Sequence, residues 1–281
     1  MSGTKKSINY AEVRYRLGLE SDDNKDALRW FLTAAKYEHP IAQFHESVVL
    51  KESSHSSSML VLFKSAENHY PEAQYQLGLC FERGDGVEES ETKALLWIRL
   101  ASKQNHFKAQ QKLAEILTKF ANEGNGHAAY ELAGLYRNGI GVEKSFKKCA
   151  QWLEKSCGLN HIQAMMDLAE MYDGGIGVDD SVVMAFQLYN EAAENGNIDA
   201  QYILAKRYNH GRGTPPDPTM ALEWFLRAAK QGHIESQFLV AVMFKSGKGT
   251  RANPSEAIRW MTFASNQGHE EAARRLKRWS Q

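Results

Sequence analysis

A short pattern, an aromatic residue followed three positions later by Gly-x-Gly and then Val or Thr, recurs along this chain at a fixed interval. It occurs as FERGDGV (81–87), YRNGIGV (136–142), YDGGIGV (172–178), YNHGRGT (208–214) and FKSGKGT (244–250). The first glycines stand at 84, 139, 175, 211 and 247, so three intervals are 36 residues and one, of 55, exceeds a repeat by 19. Exact register over this distance specifies an array of small supersecondary units, each unable to bury its apolar face alone and stacked on its neighbours.

The residues around the glycines name the unit. Upstream lie AQYQLGLCF, AAYELAGLY, AMMDLAEMY, AQYILAKRY and SQFLVAVMF, each with a small residue, an apolar one four on and an aromatic eight on, which is helical spacing. Downstream, KALLWIRLAS, KCAQWLEKSC, MAFQLYNEAA, MALEWFLRAA and EAIRWMTFAS carry apolar and small residues at i, i+3, i+4 and i+7, a second amphipathic helix. Joints such as KQGHIES and ENGNIDA return the chain to the next unit: Gly or Asn suits the C-terminal cap of the second helix, and the following His or Asn can cap the first helix of the next repeat. Pro40 and Pro71 fall at helix starts, where a missing N–H costs nothing. The unit is helix A, glycine turn, helix B. The fold class that follows is all-α, an α/α superhelical solenoid of about seven helix-turn-helix repeats and a C-terminal capping helix, EEAARRLKRWSQ. The array divides into irregular N-terminal repeats (1–108), a truncated repeat with a bend (109–127) and regular 36-residue repeats with the cap (128–281), all one continuous solenoid. The first repeat has a shortened turn, and the second replaces its turn with a Ser-rich loop.

This pattern resembles the Sel1-like repeat family, relatives of the tetratricopeptide repeats, through its AxxxLGxxYxxGxGV and KAxxWxxxAAxxGxxxAQ stretches. The resemblance implies a solenoid whose helices A line the concave side and a role as adaptor, scaffold or inhibitor of another protein. Some bacterial members resemble immunity factors against toxins, and others assist secretion.

Composition narrows the chemistry. With 34 basic and 34 acidic side chains the net charge is zero, so no general field gathers nucleic acid or an anionic membrane surface. The apolar runs fall short of a membrane span, MSGTKKSINY carries no export signal, and three cysteines are too few for a disulfide framework. A cytoplasmic setting is expected, with no membrane insertion.

Each motif that suggests chemistry has a structural explanation. A phosphate cradle needs a strand before its glycines, whereas these glycines follow a helix. His39, His106, His161, His233 and His269 recur once per joint, too far apart to share a metal ion, and are expected to cap helices. Cys80, Cys149 and Cys157 fit small core positions. No nucleophile elbow, Walker loop or zinc helix occurs. The chain is therefore expected to be no enzyme, with no cofactor and no metal.

What varies between repeats is the face of helix A opposite the core. The candidate partner-binding residues are Tyr130, Glu131, Asp167, Glu170, Tyr202, Ile203, Lys206, Arg207, His210, Phe238, Leu239 and Val242, running from acidic through basic to apolar with aromatic anchors beside them. The primary expectation is a non-catalytic protein-binding scaffold, its partner a toxin, effector or secretion component. Two alternatives remain: a hydrolase of cell-wall or β-lactam compounds, for which only Glu131, Asp167 and Glu170 offer carboxylates, and a structural spacer.

Overall fold

A computed structural model describes residues 10–21, 24–51 and 54–279. The export-signal expectation, part of the first repeat's shortened turn and part of the Ser-rich loop lie outside the described residues. Those residues form sixteen α-helices and no strand: α1 (Tyr10–Glu20), α2 (Asn24–Lys36), α3 (Pro40–Leu50), α4 (His55–Glu67), α5 (Pro71–Arg83), α6 (Glu91–Lys103), α7 (Phe107–Asn122), α8 (Gly126–Asn138), α9 (Phe146–Cys157), α10 (Ile162–Gly174), α11 (Val182–Glu194), α12 (Ile198–His210), α13 (Pro218–Lys230), α14 (Ile234–Ser246), α15 (Pro254–Asn266) and α16 (Glu270–Trp279). Seven A–B pairs, the unpaired α7 and the terminal α16 account for all of them. The fold is an all-α solenoid, as the periodicity requires.

Two compact units divide the chain. One holds the residues up to Leu117 together with Gly139–Glu143, and the other holds Thr118–Asn138 and the residues from Lys144 on. Within the first, α1 to α6 pack each on the next; within the second, α8 to α16 do the same.

The helix ends are built by the residues the spacing singled out. The backbone N–H groups of Ala42, Ala109, Ala164, Ser236 and Ala272 donate to Nδ1 of His39, His106, His161, His233 and His269 at 3.1–3.3 Å, and Asn125 and Asn197 cap their helices in the same way. Helices B are capped by Ser54, Ser90, Ser145, Ser181, Asp217 and Asn253, the last four in 36-residue register. At the ends of α10, α12 and α14, Gly175, Gly211 and Gly247 are left-handed and donate to the carbonyl four residues back.

The second glycine of each turn has another duty. A methyl group on Gly213 would stand on the Val182 carbonyl oxygen at the start of α11. On Gly249 it would stand on the Pro218 carbonyl at the start of α13, and on Gly177 on the Phe146 backbone at the start of α9. The backbone of one repeat thus touches the backbone of the repeat before it, and no side chain fits between them.

The core of the second unit runs through small residues at helix crossings, among them Ala169, Ala185, Ala205, Ala221 and Ala241, with Met165, Leu204, Trp224, Phe225, Val240 and Met261 filling the space beside them. A polar relay crosses the same interfaces. Gln201 donates to the Ala193 carbonyl at the end of one helix B and accepts from Gln231 at the end of the next; Gln237 does the same between Ala229 and Gln267, and Gln74 between Ala66 and Gln104. These glutamines are almost fully buried, and each satisfies a carbonyl that the end of a helix leaves open.

Candidate functional site

The candidate face is presented by α8, α10, α12 and α14, all in the second unit. Its aromatic residues are engaged within the chain. Tyr130 stacks on His161 with ring centroids 4.5 Å apart, Tyr202 packs on His233 at 4.6 Å and Phe238 stacks on His269 at 4.5 Å. Each ring at offset +2 of helix A therefore covers the histidine that caps the next helix A, and Phe238 is buried. Their expected role as aromatic anchors gives way to a role between repeats, because a capping imidazole offers a flat apolar face one repeat translation away.

The acidic end is also tied down. Asp167 accepts from Arg137 Nη2 at 2.7 Å and from Gln163 Nε2 at 2.9 Å, with the Tyr130 hydroxyl at 3.4 Å. Burial, followed by the Asp167 charge, raises the Tyr130 hydroxyl above its ordinary range. Glu131 is half-buried with His127 at 3.7 Å, and Glu170 is exposed. Of the three carboxylates, Asp167 is occupied by three donors.

Of the thiols, Cys149 is buried and Cys80 and Cys157 are half-buried. Burial raises all three, Cys157 to about 12, which disfavours the nucleophilic thiolate.

The basic stretch of α12 does converge. A cavity of about 450 Å³ is lined by Asp173 from the end of α10, Tyr189 from α11, Ile203, Lys206, Arg207 and His210 from α12, and Arg212 from the turn that follows. Four of the twelve candidate residues, Ile203, Lys206, Arg207 and His210, are thereby brought to one site. Lys206 and His210 are exposed and Ile203 is half-buried. Arg207 differs from expectation: only 4% of it is exposed. It forms an ion pair with Asp173, and its guanidinium carbon lies 4.5 Å from the centre of the Tyr189 ring. Arg212 stands 3.3 Å from the other oxygen of Asp173. The Tyr189 hydroxyl is pushed up to about 12, chiefly by burial and then by the charges of Asp173 and Glu170, which outweigh the guanidinium. His210 Nδ1 lies 2.8 Å from the Lys206 carbonyl, an acceptor only, so Nδ1 donates to it.

Asp173, Tyr189 and Arg212 were not among the candidates, yet the repeat register marks two of the pocket's residues. Offset +7 of helix A is Cys80, Leu135, Met171 and Met243 elsewhere, and Arg207 in α12. The fifth residue of helix B counted from its first small residue is Ile98, Leu153, Phe225 and Met261 elsewhere, and Tyr189 in α11. Comparing columns across repeats would have placed both residues inside.

Leu239 and Val242, the apolar end of the face, are half-buried and pack against the core of the second unit while keeping part of their surface open.

The Sel1 repeat profile matches residues 8–36, 71–106, 126–161, 162–197, 198–233 and 234–269. The stretches between them are the irregular second repeat and the unpaired α7. A Sel1 repeat protein from Oxalobacter formigenes is 26% identical, with a TM-score of 0.55 over 95% of this chain and 87% of its own. A protective antigen of uropathogenic Escherichia coli that displays an SLR fold is 27% identical, with a TM-score of 0.52 over 95% of this chain and 63% of its own. An uncharacterized protein of Neisseria meningitidis is 29% identical over 140 residues, which span 44% of this chain and 30% of that relative's length.

Proposed function

Since this chain belongs to the Sel1 repeat family, we propose that it is a non-catalytic scaffold that holds a protein partner against the face formed by α8, α10, α12 and α14. The main support is the contrast along that face between constant core positions and changing exposed ones. Exposed Glu170 stands on α10, exposed Lys206 and His210 on α12, and the partly open apolar Leu239 and Val242 on α14. Partly open apolar groups on the same face as charged ones suit a protein interface, which combines apolar contact with charge that fixes register. Rigid helices keep these groups in place, so little ordering cost attends binding.

The partner is a protein segment or domain. An immunity role, in which that domain belongs to a toxin, is the narrower form of this proposal, and a toxin gene beside this one would support it. A component of a secretion system is the other form. Among the described residues no helix is long and apolar enough to cross a membrane.

The test is affinity capture from the native cell extract, with bound proteins identified by mass spectrometry. Wild type is compared with Glu170→Lys and Val242→Lys, which change the face at two separate helices. Specific partners retained by wild type should be lost from both variants. If the variants retain the same set at the same yield, the face is not the binding surface.

A further inference from the structure

The pocket beneath Lys206 contains charge that packing alone does not require. Four other repeats fill the Arg207 position with Cys, Leu or Met, and four other helices B fill the Tyr189 position with Ile, Leu, Phe or Met. Here both positions are polar, both line the same cavity, and Asp173 and Arg212 complete it. The cluster is left unfinished. Arg207 Nη2 is held by Asp173, but Nε and Nη1, both buried, have no hydrogen-bond partner. A desolvated guanidinium with open donors is costly to maintain, and a methionine at this position would avoid that cost.

The pocket's charge and shape indicate what would complete it. Lys206, Arg207 and Arg212 set three cations against the single carboxylate of Asp173, so the lining carries an excess of two positive charges. Arg207 forms the floor, while exposed Lys206, His210 and Arg212 stand at the rim, where an entering group meets them first. Asp173 is the penultimate residue of α10, and Lys206, Arg207 and His210 occupy the last turns of α12, so the carbonyl ends of two helices border the cavity. A doubly charged phosphate, which favours the N–H end of a helix, would be repelled by those ends and by Asp173. A singly charged carboxylate is repelled less and pairs well with guanidinium groups. Ile203 and the Tyr189 ring supply an apolar wall for the methylene stem of such a side chain.

We infer that this pocket binds one carboxylate side chain, glutamate or aspartate, from an acidic segment of a protein partner. The inference rests on the scaffold role proposed above and specifies what the basic end of its face recognises. The carboxylate meets the open Nε and Nη1 donors of Arg207 at the floor and Lys206 and Arg212 at the rim, which His210 closes.

The experiment titrates the intact protein at low ionic strength with acetylated pentaglutamate, with pentaglutamine and inorganic phosphate as controls. Affinity is read by calorimetry, and the side-chain Nε–H resonance of Arg207 by NMR. Pentaglutamate should bind and shift that resonance, and pentaglutamine should do neither. Arg212→Gln and Lys206→Gln, both at exposed positions, should each weaken pentaglutamate by about 10-fold, the loss of one charge-assisted contact. Arg207→Met should weaken it at least as much. Unchanged affinity in Arg212→Gln and Lys206→Gln overturns the inference, as does an unmoved Arg207 resonance. Phosphate that binds as tightly as pentaglutamate overturns the choice of carboxylate. If pentaglutamate fails while Glu170→Lys and Val242→Lys still abolish partner capture, only the pocket inference falls. If pentaglutamate binds as described while those variants capture normally, the face proposed for the scaffold is what fails.

Discussion

Replacing Gly213 by alanine should break the contact between two repeats, and replacing Gly232 should not. Both glycines are left-handed, with φ of 80° and 93°, so either alanine carries a similar backbone strain of about 1–2 kcal/mol, partly offset by the reduced freedom of the unfolded chain. The surroundings differ. A methyl on Gly232 meets nothing within 4 Å, whereas one on Gly213 lands on the Val182 carbonyl and crowds Phe186 Cβ at 2.8 Å. Backbone cannot rotate aside as a side chain does, so the turn after α12 must lift from α11. Overpacking of this kind costs about 1–3 kcal/mol beyond the strain. Gly213→Ala should therefore lose about 2–4 kcal/mol and Gly232→Ala about 1 kcal/mol, read as urea midpoints at unchanged m-value. Amide exchange should show the additional loss concentrated in α11 and α12, since a repeat touches only its neighbours. Agreement of the two variants to within about 0.5 kcal/mol would refute the backbone-contact argument and leave the second glycine as a turn residue only.

Other expectations concern the caps and the polar interior. Burial, followed by the neighbouring His127, lowers the His161 imidazole below its ordinary range, and its neutral Nδ1 accepts from the Ala164 N–H. The folded state thus binds fewer protons than the unfolded one, so this contribution is present above the unfolded value and is lost as pH falls through the lowered folded one. In urea titrations between pH 7 and pH 5, His161→Asn, which keeps a cap without a titrating group, should flatten this part of the stability profile. Gln237→Leu removes one buried and one partly buried hydrogen bond and strands the Ala229 carbonyl, at a cost of about 1–3 kcal/mol in chemical unfolding. Arg207→Met paired with Asp173→Asn should fold with unchanged or higher stability, because a buried ion pair rarely outperforms apolar packing. A large loss of stability in that double variant would show that the pair is needed for the fold.

The architecture was readable because its signals are local and repeated: glycine register, helical spacing and a His or Asn at each joint are all short-range choices. The capping histidines behave as their position predicts. What escaped was long-range by one repeat. The partner of Tyr202 is His233, and the stacking of Phe238 on His269 needs a repeat translation that no window of one helix contains. Arg207 was placed on the surface with Lys206, its sequence neighbour, although one residue along a helix is a turn of about 100° and carries it into the core. Asp173 and Arg212 gave no signal in their own helix or turn. They gain meaning only once Arg207 is known to be buried beside them.

The glutamine relay has a further consequence. Each link joins residues thirty apart, Gln74 to Gln104, Gln201 to Gln231 and Gln237 to Gln267, and each spans a single interface. The donor and acceptor are the same amide in these three copies, whereas Asn68 donates to Gln43 and the equivalent position of α10 is Met165, so units are interchangeable at the three glutamine seams. A duplication or deletion of whole units during evolution would regenerate the same seam without compensating changes elsewhere. The glutamine pair therefore acts as a standard connector at these three seams, which lets the array change length there while the faces between connectors diversify.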